Sequence, residues 1–207
     1  MRKPGALAAI VAVAVAGAMA LPSPAVAQFS KGYKFLEAVR KKDGQAVTDL
    51  LNEPGTTVVN AHDSSNGETA LHIVTQRRDV TWMNFLIAKG ANVDARNGQG
   101  TTPLQIAVNL GFPEGVEALL DGHARIDEPG AQGETPLITA VHRRDISIMR
   151  QLLKAGADPD RADNSGRSAR DYAMLEGSSS SLVAEIQNSA KPKGQRAGAR
   201  PSYGPSL

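Results

Sequence analysis

The chain has 207 residues with a formal net charge of +2, and 41% of its residues are hydrophobic but only 4% are aromatic. Aliphatic side chains must therefore build most of the core, and side chains of this size suit closely stacked helices better than a wide ligand cavity. There is no cysteine, which excludes disulfides, thiolate metal sites and cysteine nucleophiles.

The N-terminus has the features of an export signal. Two basic residues precede an apolar run over residues 6–21, and Ala25-Val26-Ala27 gives the small-x-small pattern that signal peptidase recognises. We therefore predict that residues 1–27 form a signal peptide and that the mature chain begins at Gln28. The alternative is an uncleaved anchor, but a helix of this length spans only about 24 Å of a hydrocarbon core that is ~30 Å thick.

Four segments of the remaining chain repeat without gaps. Each begins with a glycine that is followed two residues later by Thr or Ser, and these glycines are Gly67, Gly100, Gly133 and Gly166. A pair of aliphatic residues beginning at positions 86, 119 and 152 shares the same step of 33 residues. A fixed period of this length is the signature of an array in which each unit stacks on the next.

Gly-x-Thr-Pro-Leu followed by Leu-Leu-x-x-Gly-Ala at this period resembles the ankyrin repeat, and the resemblance covers residues 33–188. It implies an all-α solenoid of about five helix-turn-helix units with short β-turn or finger loops, and a usual role in protein recognition. The expected units are residues 33–65, 66–98, 99–131, 132–164 and 165–188, with end units that act as caps. We expect a short lead over residues 28–32 and a disordered basic tail over residues 189–207, because its composition cannot bury enough apolar surface.

Residue types at fixed positions also predict where helices begin and end. Thr102 and Thr135 are expected N-cap residues, and each is followed by a proline, which the first helical position tolerates. Gly156 follows a second helix at a position that favours the left-handed conformation. His123 occupies that position in the third unit, where Gly122 is the alternative cap.

No catalytic, cofactor or metal site is predicted. The four histidines have no metal-ligand spacing, and each already has an architectural explanation in the repeat. Asp94, Asp127 and Asp160 recur once per unit, so we expect them to organise turns rather than to converge on one point. Residues 28–187 carry 17 basic and 21 acidic residues, so the folded body lacks the basic stripe that nucleic-acid binding needs.

The resemblance places partner binding at the finger tips and at the inward-facing ends of the first helices. The candidate partner-binding residues are Asn66, Glu68, Gln76, Arg77, Gln99, Thr101, Asn109, Leu110, Gln132, Glu134, His142 and Arg143. Arg77, Arg143 and Leu110 are either anchors of this surface or ordinary surface residues. We expect Leu119 and Trp82 to pack in the core.

The sequence therefore predicts a monomeric, non-catalytic module that binds another protein in the bacterial periplasm, as a scaffold or stabiliser. Secretion into the medium is the alternative location. The alternative function is an inhibitor or immunity-type protein that blocks an envelope enzyme or toxin. No stable membrane insertion is expected after signal cleavage, whereas an uncleaved signal would make the protein a tethered adaptor.

Overall fold

The computed structural model describes residues 30–197. Its α-helices in chain order are α1 (Lys31–Lys41), α2 (Gly44–Leu51), α3 (Ala70–Gln76), α4 (Val80–Ala88), α5 (Pro103–Asn109), α6 (Pro113–Asp121), α7 (Pro136–His142), α8 (Ile146–Ala155), α9 (Ala169–Leu175) and α10 (Ser181–Ser189). Short 3-10 turns cover Val58–Asn60 and Lys193–Gln195. Within this part of the chain the only β-pairing is one isolated bridge between Ala162 and Ser168.

The helices form five pairs, which we call units 1 to 5, and the pairs stack into a solenoid. The first helices α1, α3, α5, α7 and α9 pack in one row, and the second helices α4, α6, α8 and α10 pack in another. Unit 5 is a complete helix pair, although its second helix follows a polar serine run. The architecture confirms the predicted all-α repeat fold.

The helix starts depend on the predicted capping residues. The hydroxyls of Thr102 and Thr135 accept hydrogen bonds from the backbone N–H groups of Gln105 and Ile138, both at 3.3 Å. Each cap satisfies a donor that has no partner inside the helix, which is worth about 1 kcal/mol. These caps fix where the first helix of units 3 and 4 begins.

The second helices of units 2 to 4 are followed by left-handed residues, as predicted for glycine. Gly156 has φ +111°, and His123 has φ +65° at the equivalent position in unit 3, whereas Gly122 keeps φ −74°. The cap therefore stays in register and the histidine accepts a backbone conformation that costs about 1 kcal/mol relative to glycine.

Aliphatic residues from both helix rows make one continuous core. Leu119 is fully buried, as predicted, and so are Ala107 and Ala140, where the two helices of a unit approach closely. Trp82 is only half-buried, because Gly44 and Thr48 on the neighbouring α2 leave an apolar pocket of about 230 Å³ beside its ring. The prediction of a core tryptophan therefore holds only in part.

Two predicted boundaries are wrong at the ends of the array. Helix α1 begins at Lys31 with Ser30 as its N-cap, so residues 31 and 32 belong to unit 1 and not to a lead. After α10, the chain does not become structureless at residue 189. The predicted signal peptide and residues 198–207 of the predicted tail lie outside the described residues.

The segment 191–197 packs back on unit 4. The backbone N–H of Ala197 donates to the carbonyl of Gly156 at 2.7 Å. The guanidinium of Arg196, which is 11% exposed, donates to Asp158 at 2.9 Å and to Asp160 at 2.7 Å. Asp160 also accepts from the Arg170 guanidinium of unit 5 at 2.7 Å, so Arg196 adds a second cation to this carboxylate. Composition alone gave no sign of this pairing.

Between residues 30 and 197, no helix is both long and apolar enough to cross a membrane.

Candidate protein-binding site

Finger loops precede the first helices of units 2 to 5, and most of them are held by a side-chain cap. They cover residues 63–68, 97–101, 130–134 and 163–167, and we number them with their units. In the third finger the side-chain oxygen of Asn97 accepts from the backbone N–H groups of Gln99 and Thr101, both at 3.0 Å. Asp63 and Asp163 accept equivalent bonds in the second and fifth fingers. These aspartate and asparagine turns fix the finger tips.

The fourth finger lacks this cap, because Gly130 stands at the equivalent position. Its loop is closed by backbone bonds alone, from Gly133 N–H to the Gly130 carbonyl and from Gly130 N–H to the Glu134 carbonyl, both at 3.0 Å. A side chain at Gly130 would meet the amide of Gln105, whose Nε2 lies 3.1 Å from the Cβ position. Gly130 thus leaves space for the Gln105 side chain, but it has no side chain that could cap the finger.

The tips of adjacent fingers are joined unevenly. Gly98 N–H donates to the Asn66 carbonyl at 2.8 Å, and Asn164 N–H donates to the Gln132 carbonyl at 3.4 Å. In the described part of the chain no backbone hydrogen bond joins the tips of the third and fourth fingers. Those two fingers are joined instead at their base, where the guanidinium of Arg96 donates to the Pro129 carbonyl at 3.0 Å.

Buried polar residues at the start of the first helices tie units 2 and 3 to the loop that follows each of them. His72 accepts from Thr69 N–H through Nδ1 at 3.2 Å, and its Nε2 lies 3.0 Å from the Thr101 carbonyl. Burial lowers the pKa of His72, which favours the neutral ring that these bonds require. Gln105 plays the same part in unit 3 by donating to the Glu128 carbonyl at 3.0 Å. The role of His72 is architectural.

Two depressions lie on either side of the fourth finger. The first, of about 400 Å³, is lined by Gln99, Thr101, Gln105, Asn109, Gly130, Ala131, Gln132, Glu134 and Thr139. The second, of about 500 Å³, is lined by Ala131, Gln132, Glu134, Asp163, Asn164, Ser165 and Tyr172. They share Ala131, Gln132 and Glu134, so they form one surface from unit 3 to unit 5, which we call the finger trough.

The finger trough brings together a subset of the residues predicted from the sequence. Its lining includes Gln99, Thr101, Asn109, Gln132 and Glu134. His142 lies beside it, with Nδ1 3.7 Å from the Glu134 carboxylate and its ring edge-on to Tyr172 at a centroid distance of 4.3 Å. These are residues of three different units that only the stacking of the solenoid makes neighbours.

The two carboxylates of the trough, Asp163 and Glu134, differ in the hydrogen bonds that they accept. Asp163 accepts from the Tyr172 hydroxyl at 2.8 Å and from Ser165 at 2.7 and 2.8 Å. Hydrogen bonds from Ser165, then from Tyr172, lower the pKa of Asp163 to about 2. Within residues 30–197, the Glu134 carboxylate has only a 3.5 Å contact from the Thr139 hydroxyl, besides His142. Glu134 therefore keeps acceptor capacity for a ligand.

The predicted residues of unit 2 do not contribute to the trough. Asn66 and Gln76 are exposed and Glu68 is half-buried. The Gln76 amide donates to the Glu68 carboxylate at 2.5 Å, so these two side chains satisfy each other across the inner surface. Asn66 and Gln76 are thus exposed as predicted but lie outside the trough, and a binding role for unit 2 stays a prediction.

The prediction that Arg77 and Leu110 are exposed is wrong. The side chain of Arg77 is 22% exposed, its Nη1 donates to the Val39 carbonyl at 2.8 Å, and its guanidinium lies 5.8 Å from the centre of the Trp82 ring. It ties unit 2 to unit 1. Leu110 is half-buried against the core. A position that is exposed in one repeat is covered in another when the neighbouring turn carries a larger side chain.

Arg143 is exposed as predicted, but it lies away from the trough. Its guanidinium is 3.2 Å from the Cβ position of Gly111, at the turn between the helices of unit 3. This turn is at the opposite edge of the solenoid from the fingers. The structure thus separates the predicted anchors from the predicted finger residues.

Unit 5 carries apolar surface that the sequence analysis did not select. Leu175 is 69% exposed and Met174 is 51% exposed. Leu175 follows His142 by one repeat period, so stepping 33 residues from His142 would have identified it. Leu175 ends α9, the helix that also carries the trough residue Tyr172.

Among residues 30–197 there is no group of three or more side chains of the His, Cys, Asp and Glu types that could hold a metal ion.

Comparison with known proteins agrees with this architecture. A family model described as "Ankyrin repeats (3 copies)" matches residues 35–130, and one described as "Ankyrin repeat" matches residues 132–164. Unit 5 lies outside both matches and is defined by its helix pair.

The similar curated proteins are long and diverse. An ankyrin repeat protein of Acanthamoeba polyphaga mimivirus is 27% identical over 67% of this chain, and the ANK repeat-containing protein nipk-1 of Caenorhabditis elegans is 32% identical over 65%. The E3 ubiquitin-protein ligase KEG of Arabidopsis thaliana is 27% identical over 60%. The matches cover 18%, 23% and 8% of those proteins, so the chain spans less than a quarter of each.

Ankyrin repeats generally mediate protein–protein interaction and are typically non-catalytic. With both family models matched in register with the observed helix pairs, this chain belongs to the ankyrin-repeat family.

Proposed function

We propose that this protein is a non-catalytic binding module that acts in the bacterial periplasm as a scaffold or stabiliser of a partner protein. The observation that carries the proposal is the finger trough, a concave surface built from three units and lined by side chains with free hydrogen-bonding capacity. Surfaces of this kind bind a partner through complementary polar contacts around a few anchors.

A capture experiment with the mature chain, residues 28–207, tests this function. The trough variant Gln99→Ala/Asn109→Ala/Gln132→Ala removes exposed amides, and Asn84→Ala/Glu117→Ala removes exposed residues of the second helices as a matched control. We expect the protein and the control to retain a specific periplasmic partner and the trough variant to lose it. Equal capture by all three proteins would contradict the assignment of the trough.

The activity of the captured partner separates the two functional hypotheses. A scaffold or stabiliser leaves the partner active, whereas an inhibitor or immunity-type protein suppresses it upon binding through the same surface. Titrating the mature chain into the purified partner and following its activity distinguishes these outcomes.

The location is tested by fractionation and N-terminal sequencing. We expect the periplasmic fraction to contain a mature protein that begins at Gln28. A membrane-bound form that still begins at Met1 would favour the tethered adaptor instead.

A further inference from the structure

The fourth finger is the least restrained of the described fingers. Among these fingers it alone has glycine in place of the capping Asp or Asn. Within residues 30–197 its one tip-to-tip backbone bond, from Asn164 N–H to the Gln132 carbonyl, is 3.4 Å long, against 2.8 Å for the bond between the second and third fingers. Both depressions of the trough border it. A loop that is held by few bonds and borders a cleft on each side can adjust to a ligand at small energetic cost.

The charge of the trough has one sign. Of the residues that the structure describes, those that line it include Glu134 and Asp163 but no lysine or arginine. The nearest cationic group on the fifth finger is Arg167, whose guanidinium lies 5.9 Å from the centre of the Tyr172 ring. Because Asp163 is already bonded to Ser165 and Tyr172, Glu134 is the carboxylate left to receive a cation.

The remaining lining offers unpaired amides. The side-chain amides of Gln99, Asn109 and Gln132 make no hydrogen bond to other groups of residues 30–197. Each amide has both donors and an acceptor, which match the N–H and C=O groups of a polypeptide backbone. An extended segment presents its backbone N–H and C=O groups to these amides, whereas an α-helix uses the same groups for its internal hydrogen bonds.

We propose that the finger trough binds an extended polypeptide segment whose lysine or arginine side chain pairs with Glu134, and that the fourth finger adjusts to this segment. The inference rests on the proposed function, because it names the partner chemistry of the same surface. The backbone of the segment bonds the three amides, and Leu175 offers an apolar contact at the unit 5 end.

A random peptide display library panned on the mature chain tests this proposal. We expect the enriched peptides to contain a lysine or arginine. Their Kd should rise by about tenfold or more in Glu134→Gln, since the substitution keeps the shape of the side chain but removes its charge. The affinity should also weaken as salt is added.

Glu68→Gln provides the matched control. Glu68 is the equivalent of Glu134 two repeats earlier, but its carboxylate already accepts from Gln76. We expect its Kd to stay within about twofold of that of the unaltered protein.

Three results would overturn the proposal: enriched peptides without basic residues, an equal loss of affinity in Glu134→Gln and Glu68→Gln, or no enriched peptide at all. In the last case the capture experiment with the trough variant still decides independently whether the protein binds a folded partner. The failure of the extended-segment inference is therefore distinguishable from the failure of the proposed function.

Discussion

The two edges of the solenoid, one formed by the helix–helix turns and the other by the fingers, join one unit to the next through different contacts. At the edge formed by the helix–helix turns, basic residues reach across to the following unit: Lys42 pairs with Asp79 at 3.3 Å, and Arg78 donates to the Leu110 carbonyl. Arg144 pairs with Glu176 in the same way.

These turn residues hold a backbone conformation that glycine prefers. Lys42, Arg78 and Arg144 have φ between +54° and +58°, whereas Gly111 and Gly177 occupy the equivalent position in units 3 and 5. Each basic residue costs about 1 kcal/mol of backbone strain, and its exposed contact with the next unit returns at most about as much. The turn edge therefore exchanges local strain for inter-unit contacts.

The finger edge follows the opposite arrangement around unit 4. Among the described fingers, the fourth has no side-chain cap and no tip-to-tip backbone bond to the third, and the trough opens there. The turn edge and the core therefore hold the array together. At the finger edge, the fourth finger can adjust its conformation where a partner would bind.

The largest effect should come from the core that both edges share. Replacing the fully buried Leu119 by Ala removes methyl groups and leaves a cavity, which should lower the free energy of unfolding by ~2–5 kcal/mol. Urea denaturation measures this change. The neighbouring exposed Glu117→Ala should stay within ~0.5 kcal/mol, and similar values for both variants would show that α6 does not pack as described.

The C-terminal segment should contribute less than the core but more than the surface. Arg196→Ala removes two charge-assisted bonds to Asp158 and Asp160, so we expect a loss of about 1–2 kcal/mol in urea denaturation. Arg143→Ala, which removes an exposed arginine with no such bonds, is the control. An Arg196→Ala variant as stable as the control would mean that the segment 191–197 does not cap the array in solution.

The pH dependence of stability should report His72. Because the pKa of His72 is lowered by burial from its ordinary value of 6.5, the unfolded chain binds the proton first. The stability contributed by the neutral ring is therefore fully present above about pH 6.5. It is lost as the pH falls from about 6.5 towards the lowered pKa of His72 in the folded protein. His72→Gln, which copies Gln105 of unit 3, should flatten the profile between pH 7 and 5. Parallel profiles for the two proteins would contradict a neutral, buried His72.

The smallest and most local effect concerns the fourth finger. In native-state hydrogen exchange the backbone amides of Gln132 and Glu134 should exchange faster than those of Gln99 and Thr101, which bond to Asn97 in the third finger. Equal protection of the two fingers would remove the distinction on which the adjustable finger depends.

The fold could be predicted well from the sequence because each repeat is specified by residues that are close together in the chain. The threonine caps, the prolines after them and the buried Leu119 follow from residue type and a fixed period, and the structure confirms each. The exact binding surface depends on contacts between units, which a period does not contain. Arg77 became a link to unit 1 because Trp82 and the Val39 carbonyl happen to face it.

Neither the packing of the C-terminal segment nor the trough could be predicted from the sequence, because both depend on contacts between residues that are distant in the chain. A short polar segment has no periodicity to signal order, so the pairing of Arg196 with two aspartates is visible only in three dimensions. The absence of a cap at Gly130 is readable from the alignment of the repeats, but the contact of Gln105 with this position is not.

The most direct test of partner binding at the finger edge is site-specific photo-crosslinking in cells. A photoreactive amino acid at Gln132 places the probe in the trough, and one at Asn84 places it on the exposed face of α4. The account predicts a discrete crosslinked partner from Gln132 that is absent from Asn84. A partner that crosslinks from Asn84 and not from Gln132 would contradict it.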